Sequence, residues 1–280
     1  MRIGQIRSNG VVVAAVFEKD GAHQIPAHTL LDLIGRASAE SISLVELAHN
    51  LASRAADPAP AILPIHPPEV WACGCTYEMS ASFRDAEHGT REGMYAYVYR
   101  EARPEVFFKG TARVCVGTNK NIGIRSDSHF TAPEPELAVL LGQGGKILGY
   151  TLANDVSAWD IERENALYLP QSKVYNCCCA LGPVIVTADE LTDPYNLTLT
   201  CTIERGGKKI FEGSVSTSRL HRKLETLVEF LLRANNVPAG SILLTGTGII
   251  VKEDAALAAG DVVSISVPEI GTLSNTTVVV

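Results

Sequence analysis

Pro133-Glu134-Pro135-Glu136-Leu137-Ala138-Val139-Leu140-Leu141-Gly142 sets two carboxylates, two residues apart, at the head of an apolar run. Alternate side chains of an extended strand share a face, so Glu134 and Glu136 point the same way. Two like charges entering a core repel each other and resist losing water. A divalent cation between them removes that objection, whereas a solvated strand edge would leave the pair without chemical meaning. The rest of the chain decides between these readings.

With 280 residues, 46% hydrophobic and 20% charged, the chain has the length and composition of a protein with a large core. A net charge of -7 offers no cationic footprint for nucleic acid or an anionic membrane. No run approaches the roughly 18 apolar residues of a membrane helix, and Met1-Arg2-Ile3-Gly4 does not open a signal peptide. The expected location is the cytoplasm. Seven cysteines are an odd count, and Cys177, Cys178 and Cys179 are adjacent. Consecutive strand residues face opposite ways, so the three cannot converge on one soft metal, and Cys73 with Cys75 lacks Cys-x-x-Cys spacing. Small buried thiols in a reducing compartment are the expectation.

Residues 1–63 read as a small α/β N-terminal domain. Two short strands, Arg2 to Ile6 and Val11 to Phe17, flank the turn Ser8-Asn9-Gly10, and helical apolar spacing follows at Leu30 to Ile34 and Leu44 to Ser53. The proline-rich stretch from Asp57 to Pro68 is a connector. Residues 64–280 read as a larger β-rich domain, with strands expected at Leu137–Leu141, Val184–Thr187, Leu197–Glu204, Ile242–Thr245 and Val262–Val267. Two longer helices are expected, from about Ser80 to Arg100 and from about Ser218 to Ala234. Neither a dinucleotide-binding glycine fingerprint nor a P-loop is present, and no internal repeat is seen. The fold class is therefore α+β and β-rich.

Downstream of the glutamates, Gly149-Tyr150-Thr151-Leu152-Ala153-Asn154-Asp155-Val156-Ser157-Ala158 contributes a third carboxylate, Asp155, where a strand gives way to polar residues. Lys173 follows in Pro170-Gln171-Ser172-Lys173. Three carboxylates plus waters suit a hard, six-coordinate cation. A nearby lysine would offset residual negative charge; alone it would read as a solvated surface residue.

These blocks, with Leu244-Thr245-Gly246-Thr247, Gly260-Asp261-Val262 and Ile270-Gly271-Thr272-Leu273-Ser274-Asn275, closely resemble the fumarylacetoacetate hydrolase family. The resemblance spans roughly residues 66 to 280. It implies that family's mixed β-roll C-terminal domain behind the small N-terminal one, usually as a homodimer or a larger assembly such as a homotetramer. It implies Mg²⁺ (or Mn²⁺ or Ca²⁺) held by Glu134, Glu136 and Asp155, with Lys173 beside the substrate. It further implies chelation of a 2-oxo acid by the metal, acting as a Lewis acid that stabilises an enolate.

The reaction is a separate question, because family members hydrolyse, decarboxylate, isomerise or dehydrate. Carbon–carbon bond hydrolases of the family carry a His and a Glu on a lid; in Gly74-Cys75-Thr76-Tyr77-Glu78-Met79-Ser80-Ala81-Ser82-Phe83, Ser80 and Phe83 stand in those places. His88 is nearby but out of register. The blocks Pro67-Pro68-Glu69-Val70-Trp71, Tyr77-Glu78-Met79, Arg103-Pro104-Glu105-Val106-Phe107-Phe108-Lys109, Arg125-Ser126-Asp127-Ser128 and Glu164 to Lys173 resemble instead the branch that dehydrates 2-keto-3-deoxy-D-arabinonate. Trp159 departs from the pattern, standing where many relatives carry Arg.

The expected activity is thus a Mg²⁺-dependent dehydration of a 2-keto-3-deoxy-pentonate to 2,5-dioxopentanoate. A base removes a C3 proton, the C4 hydroxyl leaves as water, and ketonisation gives the aldehyde. Lys173 is the expected base, favoured in its neutral form by the adjacent cation. Glu78 is the candidate acid, or shares base duty, against a plain first-turn helix residue. Lys109 is expected near the site as a fixed cation. Tyr77, Thr245, Gly246, Thr247 and Gln171 are the candidate substrate contacts. The alternatives are a carbon–carbon hydrolase of a 2,4-diketo acid and a non-catalytic oligomer that binds a keto acid.

Overall fold

Three strands, β1 (Arg2–Ser8), β2 (Val11–Glu18) and β3 (Gly21–Ile25), form an antiparallel meander at the start of the chain. A computed structural model describes the backbone of residues 1–87 and 93–280, and the side chains of 1–82 and 93–280. Helix α1 (Leu30–Glu40) begins at a capping box, in which Thr29 accepts from the Asp32 N–H and Asp32 accepts from the Thr29 N–H. Helix α2 (Leu44–Leu51) is capped by Ser43, which accepts from the Glu46 N–H. The proline-rich connector then leads to β4 (Val70–Gly74).

Where one helix is expected from Ser80 to Arg100 there are two, α3 (Glu78–Glu87) and α4 (Met94–Arg100). Helix α4 starts afresh from Gly93, whose φ of 86° is non-helical. Next come β5 (Glu105–Gly110), β6 (Cys115–Val116), β7 (Asn121–Ile124), β8 (Thr131–Ala132), β9 (Pro135–Leu141), β10 (Ile147–Asp155) and β11 (Ser157–Ala158). Helices α5 (Trp159–Glu164) and α6 (Leu169–Lys173) lead into β12 (Cys179–Thr187) and the hairpin β13 (Thr198–Arg205) and β14 (Lys208–Ser216). Helix α7 (Leu224–Leu232) and strands β15 (Ile242–Leu244), β16 (Val262–Val267) and β17 (Gly271–Val279) complete the chain.

Helix α7 is shorter than its leucine spacing suggests, for a tertiary reason. Arg222, just before it, donates to the carbonyls of Val98, Tyr99, Glu101 and Ala102, capping the C-terminus of α4. The His221 backbone N–H donates to the Thr76 carbonyl at 3.0 Å, which commits the chain just before α7 to a partner outside any helix.

The large sheet runs β3-β2-β1-β12-β10-β9-β15-β4-β5, with β6 also paired to β12. A second sheet, β14-β13-β16-β17-β7, packs against it, and β11 pairs with β8. Strands β9 and β10 are central, and every residue of β9 is buried. Its alternate side chains enter two cores. Leu137, Val139 and Leu141 join Leu199, Ile203, Val263, Ile265 and Leu273 of the second sheet, while Ala138 and Leu140 join Leu30, Leu33 and Ile34 of α1. Each such leucine contributes about 1.5–3 kcal/mol of burial. A one-residue slip would exchange the two faces, so the register is strongly specified.

Candidate active site

The pairing of β9 with β10 builds the centre of the site. Ala153 lies opposite Glu136 and Asn154 opposite Pro135, and the Asp155 N–H donates to the Glu134 carbonyl at 3.0 Å. Asp155 therefore faces Glu134 directly, with Glu136 two residues along on the same face. All three are buried, and their carboxylate oxygens lie within 4.8 Å of one another.

Two lysines close around this trio. Lys173, at the end of α6 and 1% exposed, donates to Glu134 Oε2 at 2.8 Å, Asp155 Oδ2 at 3.2 Å and Ser157 Oγ at 2.6 Å. Lys109, fully buried on β5, lies 2.5 Å from Asp155 Oδ1 and donates to the Val156 carbonyl at 3.1 Å. Strand β5 is the edge of the large sheet, yet its lysine reaches Asp155 on a central strand. Burial pulls the Lys109 pKa down, but Asp155, Cys178 and Cys179 together outweigh it and leave the group above the ordinary lysine value. Lys109 and Asp155 thus form a buried ion pair.

Burial, Asp155 and Glu134, in that order, push Glu136 well above the usual carboxylate range, against the pull of the Gly246 N–H and Lys173. Three buried oxygen donors under mutual repulsion are the donor set of a hard divalent cation, so the residues present fit such an ion. The Gly246 N–H donates to Glu136 Oε2 at 2.6 Å. Gly246 has φ +90°, and a Cβ there would overlap Thr76 Oγ1 and crowd the Cys73 carbonyl. Only glycine brings this amide to the carboxylate.

The other expected residues occupy different positions. The Thr245 hydroxyl donates to the Leu137 carbonyl at 2.8 Å, and the Thr247 hydroxyl pairs with the backbone of Ile249. Tyr77 is buried beside them; burial and Glu136 push its phenol well up. Glu78, exposed as the first residue of α3, lines a cavity of about 210 Å³ with Tyr77, Met79, Tyr99, Val215, Arg219 and Gly248. Gln171 is exposed, and its carbonyl accepts from Arg125. It borders a cleft shared with Phe107, whose ring centroid is 5.7 Å from Lys173 Nζ. Ser80 is buried in α3. The Phe83 side chain and His88 lie outside the described residues.

Two contacts were not expected from the sequence, which marked Trp159 only as a departure from the family pattern and Glu162 not at all. Glu162, 1% exposed on α5, places Oε2 3.9 Å from Lys173 Nζ and 3.3 Å from Ser172 Oγ. It also lines a cavity of about 580 Å³ beneath α4, with Glu105. The indole N–H of Trp159 donates to Glu134 Oε1 at 2.9 Å. In sequence Glu162 is one acidic residue in Trp159-Asp160-Ile161-Glu162-Arg163-Glu164, and only the fold separates it from its solvated neighbours.

Known proteins resemble this chain in sequence and fold. Over 213 residues, 75% of this chain and 72% of the relative, the sequence is 51% identical to 2-dehydro-3-deoxy-D-arabinonate dehydratase of Saccharolobus solfataricus. It is 44% identical over 215 residues, 77% of this chain and 74% of the relative, to a probable 2-keto-3-deoxyxylonate dehydratase of Haloferax volcanii. A crystal structure described as 2-keto-3-deoxy-D-arabinonate dehydratase complexed with magnesium and 2,5-dioxopentanoate superposes with a TM-score of 0.85, at 39% identity, covering 100% of this chain and 99% of that one. Residues 86–279 match the family Fumarylacetoacetate (FAA) hydrolase C-terminal. The chain is a member of the fumarylacetoacetate hydrolase family.

Proposed function

We propose that this protein is a Mg²⁺-dependent dehydratase of a 2-keto-3-deoxy sugar acid, converting a 2-keto-3-deoxy-pentonate to 2,5-dioxopentanoate and water. One observation carries the reading: buried Glu134, Glu136 and Asp155 converge beside Lys173 in a chain 51% identical to a named dehydratase. When bound, a divalent cation supplies Lewis-acid polarisation of a 2-oxo acid. The chain's own groups supply the rest.

Lys173 moves the C3 proton, its Nζ aimed by Ser157 Oγ and the two carboxylates. The C3–H electron pair forms the C3–C4 double bond as the C4 hydroxyl departs, and tautomerisation of the resulting 5-hydroxy-3-enoate gives the aldehyde. Lys109 holds Asp155 in place and keeps its own proton. Glu78, on the rim of the cavity lined by Tyr77, is assigned the leaving hydroxyl. The wall of Tyr77, Thr245, Gly246 and Thr247 is assigned the substrate's carboxylate end. Gln171 is assigned an outer contact at the cleft shared with Phe107.

The same reading takes residues 1–63 as a small domain and 64–280 as the catalytic one, although β1 joins the large sheet through Arg2 and Ile3 opposite Val186 and Ile185. It takes the protein as a cytoplasmic homodimer or homotetramer. Among the described residues, no helix is long and apolar enough to cross a membrane.

The test is a panel of 2-keto-3-deoxy acids and 2,4-diketo acids, with Mg²⁺ or with EDTA, scored separately for water loss and for carbon–carbon cleavage. Water loss from a 2-keto-3-deoxy-pentonate that EDTA abolishes is the expected outcome. Release of two carbon fragments from a diketo acid would replace dehydration with hydrolysis.

A further inference from the structure

Trp159 has no part in the proton transfers above, yet it touches the centre of the site. It opens α5, is 3% exposed, and packs its ring 6.1 Å from that of Phe130. Its backbone N–H donates to the Phe130 carbonyl at 2.8 Å, which fixes the start of the helix. Its indole N–H reaches Glu134 Oε1 at 2.9 Å, while Lys173 holds Oε2 at 2.8 Å. Both oxygens of one carboxylate thus have a donor, one neutral and one cationic.

Free rotation of a glutamate side chain is lost on ligation, and its terminal torsion is broad. A donor set in a packed wall removes that freedom beforehand, as outer hydrogen bonds do for metal ligands generally. The neutrality of the donor also matters. Glu134, Glu136, Asp155 and Glu162 carry four formal negative charges, and Lys109 and Lys173 carry two positive ones, all six groups buried. Before a metal binds, with both lysines protonated, the formal balance is two negative charges, opposite to the charge of a divalent cation. A guanidinium at position 159 could make a similar hydrogen bond but would cancel half of that charge.

We propose that Trp159 is a positioning residue that pre-orients Glu134 for a hard divalent cation, donating a hydrogen bond without adding charge. The proposal rests on the reading that Glu134, Glu136 and Asp155 hold that cation.

Calorimetric titration of Mg²⁺ into the wild type, Trp159→Phe and Trp159→Arg proteins tests it. Trp159→Phe keeps a ring against Phe130 and removes the N–H, so Mg²⁺ affinity is expected to fall about tenfold or more while the metal-free melting temperature changes little. Trp159→Arg should bind Mg²⁺ more weakly still. A second measurement needs no folded variant at this position: ¹⁹F spectra of wild-type protein labelled with 5-fluorotryptophan, assigned with Trp71→Phe. Mg²⁺ should move the Trp159 resonance and leave that of Trp71 in place. Equal Mg²⁺ affinity in wild type and Trp159→Phe, or a Trp159 resonance unmoved at saturating Mg²⁺, overturns the role of Trp159 and leaves the metal site standing. A wild-type protein that takes up no Mg²⁺ overturns the metal site itself.

Discussion

Two groups among the described residues bring three ligand atoms within 4.8 Å of one another: Glu134, Glu136 and Asp155 at the centre of the large sheet, and Glu18, Asp20 and His23 on the first hairpins. Their spacing is alike and their surroundings are opposite. The first trio is buried throughout. In the second the carboxylates are exposed, and only His23 is shielded. Asp20 accepts at 3.0 Å from His23 Nε2, and the Ser53 carbonyl lies 2.9 Å from Nδ1. Hydrogen bonds to Asp20 and then to Ser53 raise the His23 pKa, and the same contact with His23 lowers that of Asp20. A proton and solvent therefore satisfy the outer group. The inner one has no solvent to spread its charge, and Glu136 is driven up as a result. Burial, more than proximity, turns acidic side chains into a demand for a metal.

Glu136→Gln breaks the contrast most severely. Loss of one ligand charge should abolish measurable Mg²⁺ uptake and cut dehydration by about a thousandfold or more. Asp20→Asn should leave Mg²⁺ stoichiometry and turnover as they are. Equal effects of the two substitutions in calorimetry and assay would erase the distinction drawn between the sites.

Lys173→Met separates charge balance from chemistry. Turnover should fall about 10²- to 10⁴-fold, while Mg²⁺ binds at least as tightly as before, because a competing cation has gone. A variant that loses Mg²⁺ and activity together would make Lys173 a structural strut.

Gly246→Ala sharpens the role of the backbone donor. The strained φ and the overlap with Thr76 should cost about 1–3 kcal/mol in urea unfolding, and Mg²⁺ affinity should fall with the displaced amide. Unchanged affinity would free Glu136 from dependence on that N–H.

His23→Gln gives the smallest effect and a pH signature. Because folding raises the His23 pKa, the protonated clamp contributes fully below about pH 6.5 and is lost as pH climbs through the higher folded value. Wild type should melt a few degrees above the variant near pH 6, and the gap should close near pH 9. A gap that widens with pH would reverse the assignment.

Much of the site was legible because it obeys short-range rules. The parity of Glu134 and Glu136 is a property of any strand, and the apolar run after them could only be a core strand. Asp155 and Lys173 were expected from ordered motifs, and Lys109 from its block, and the structure brings the three side chains together. The failures are long-range. The helix expected over Ser218 to Ala234 is cut back to Leu224–Leu232, with the His221 backbone N–H paired to the distant Thr76 carbonyl. Glu162 and Trp159 carry no local mark of the roles their contacts show.

The sequence by itself determined that two carboxylates would share a strand face in front of a buried run, because side-chain alternation is set by covalent geometry. It also determined, by its motifs, the family to which that face belongs. Only the tertiary structure decided that Glu162 would lie 3.9 Å from Lys173 Nζ and that the Trp159 indole, a neutral donor, would hold Glu134. Those contacts depend on strand register and on how α5 is seated beside the carboxylates. Both are set by packing between residues far apart in the chain, which no local pattern encodes.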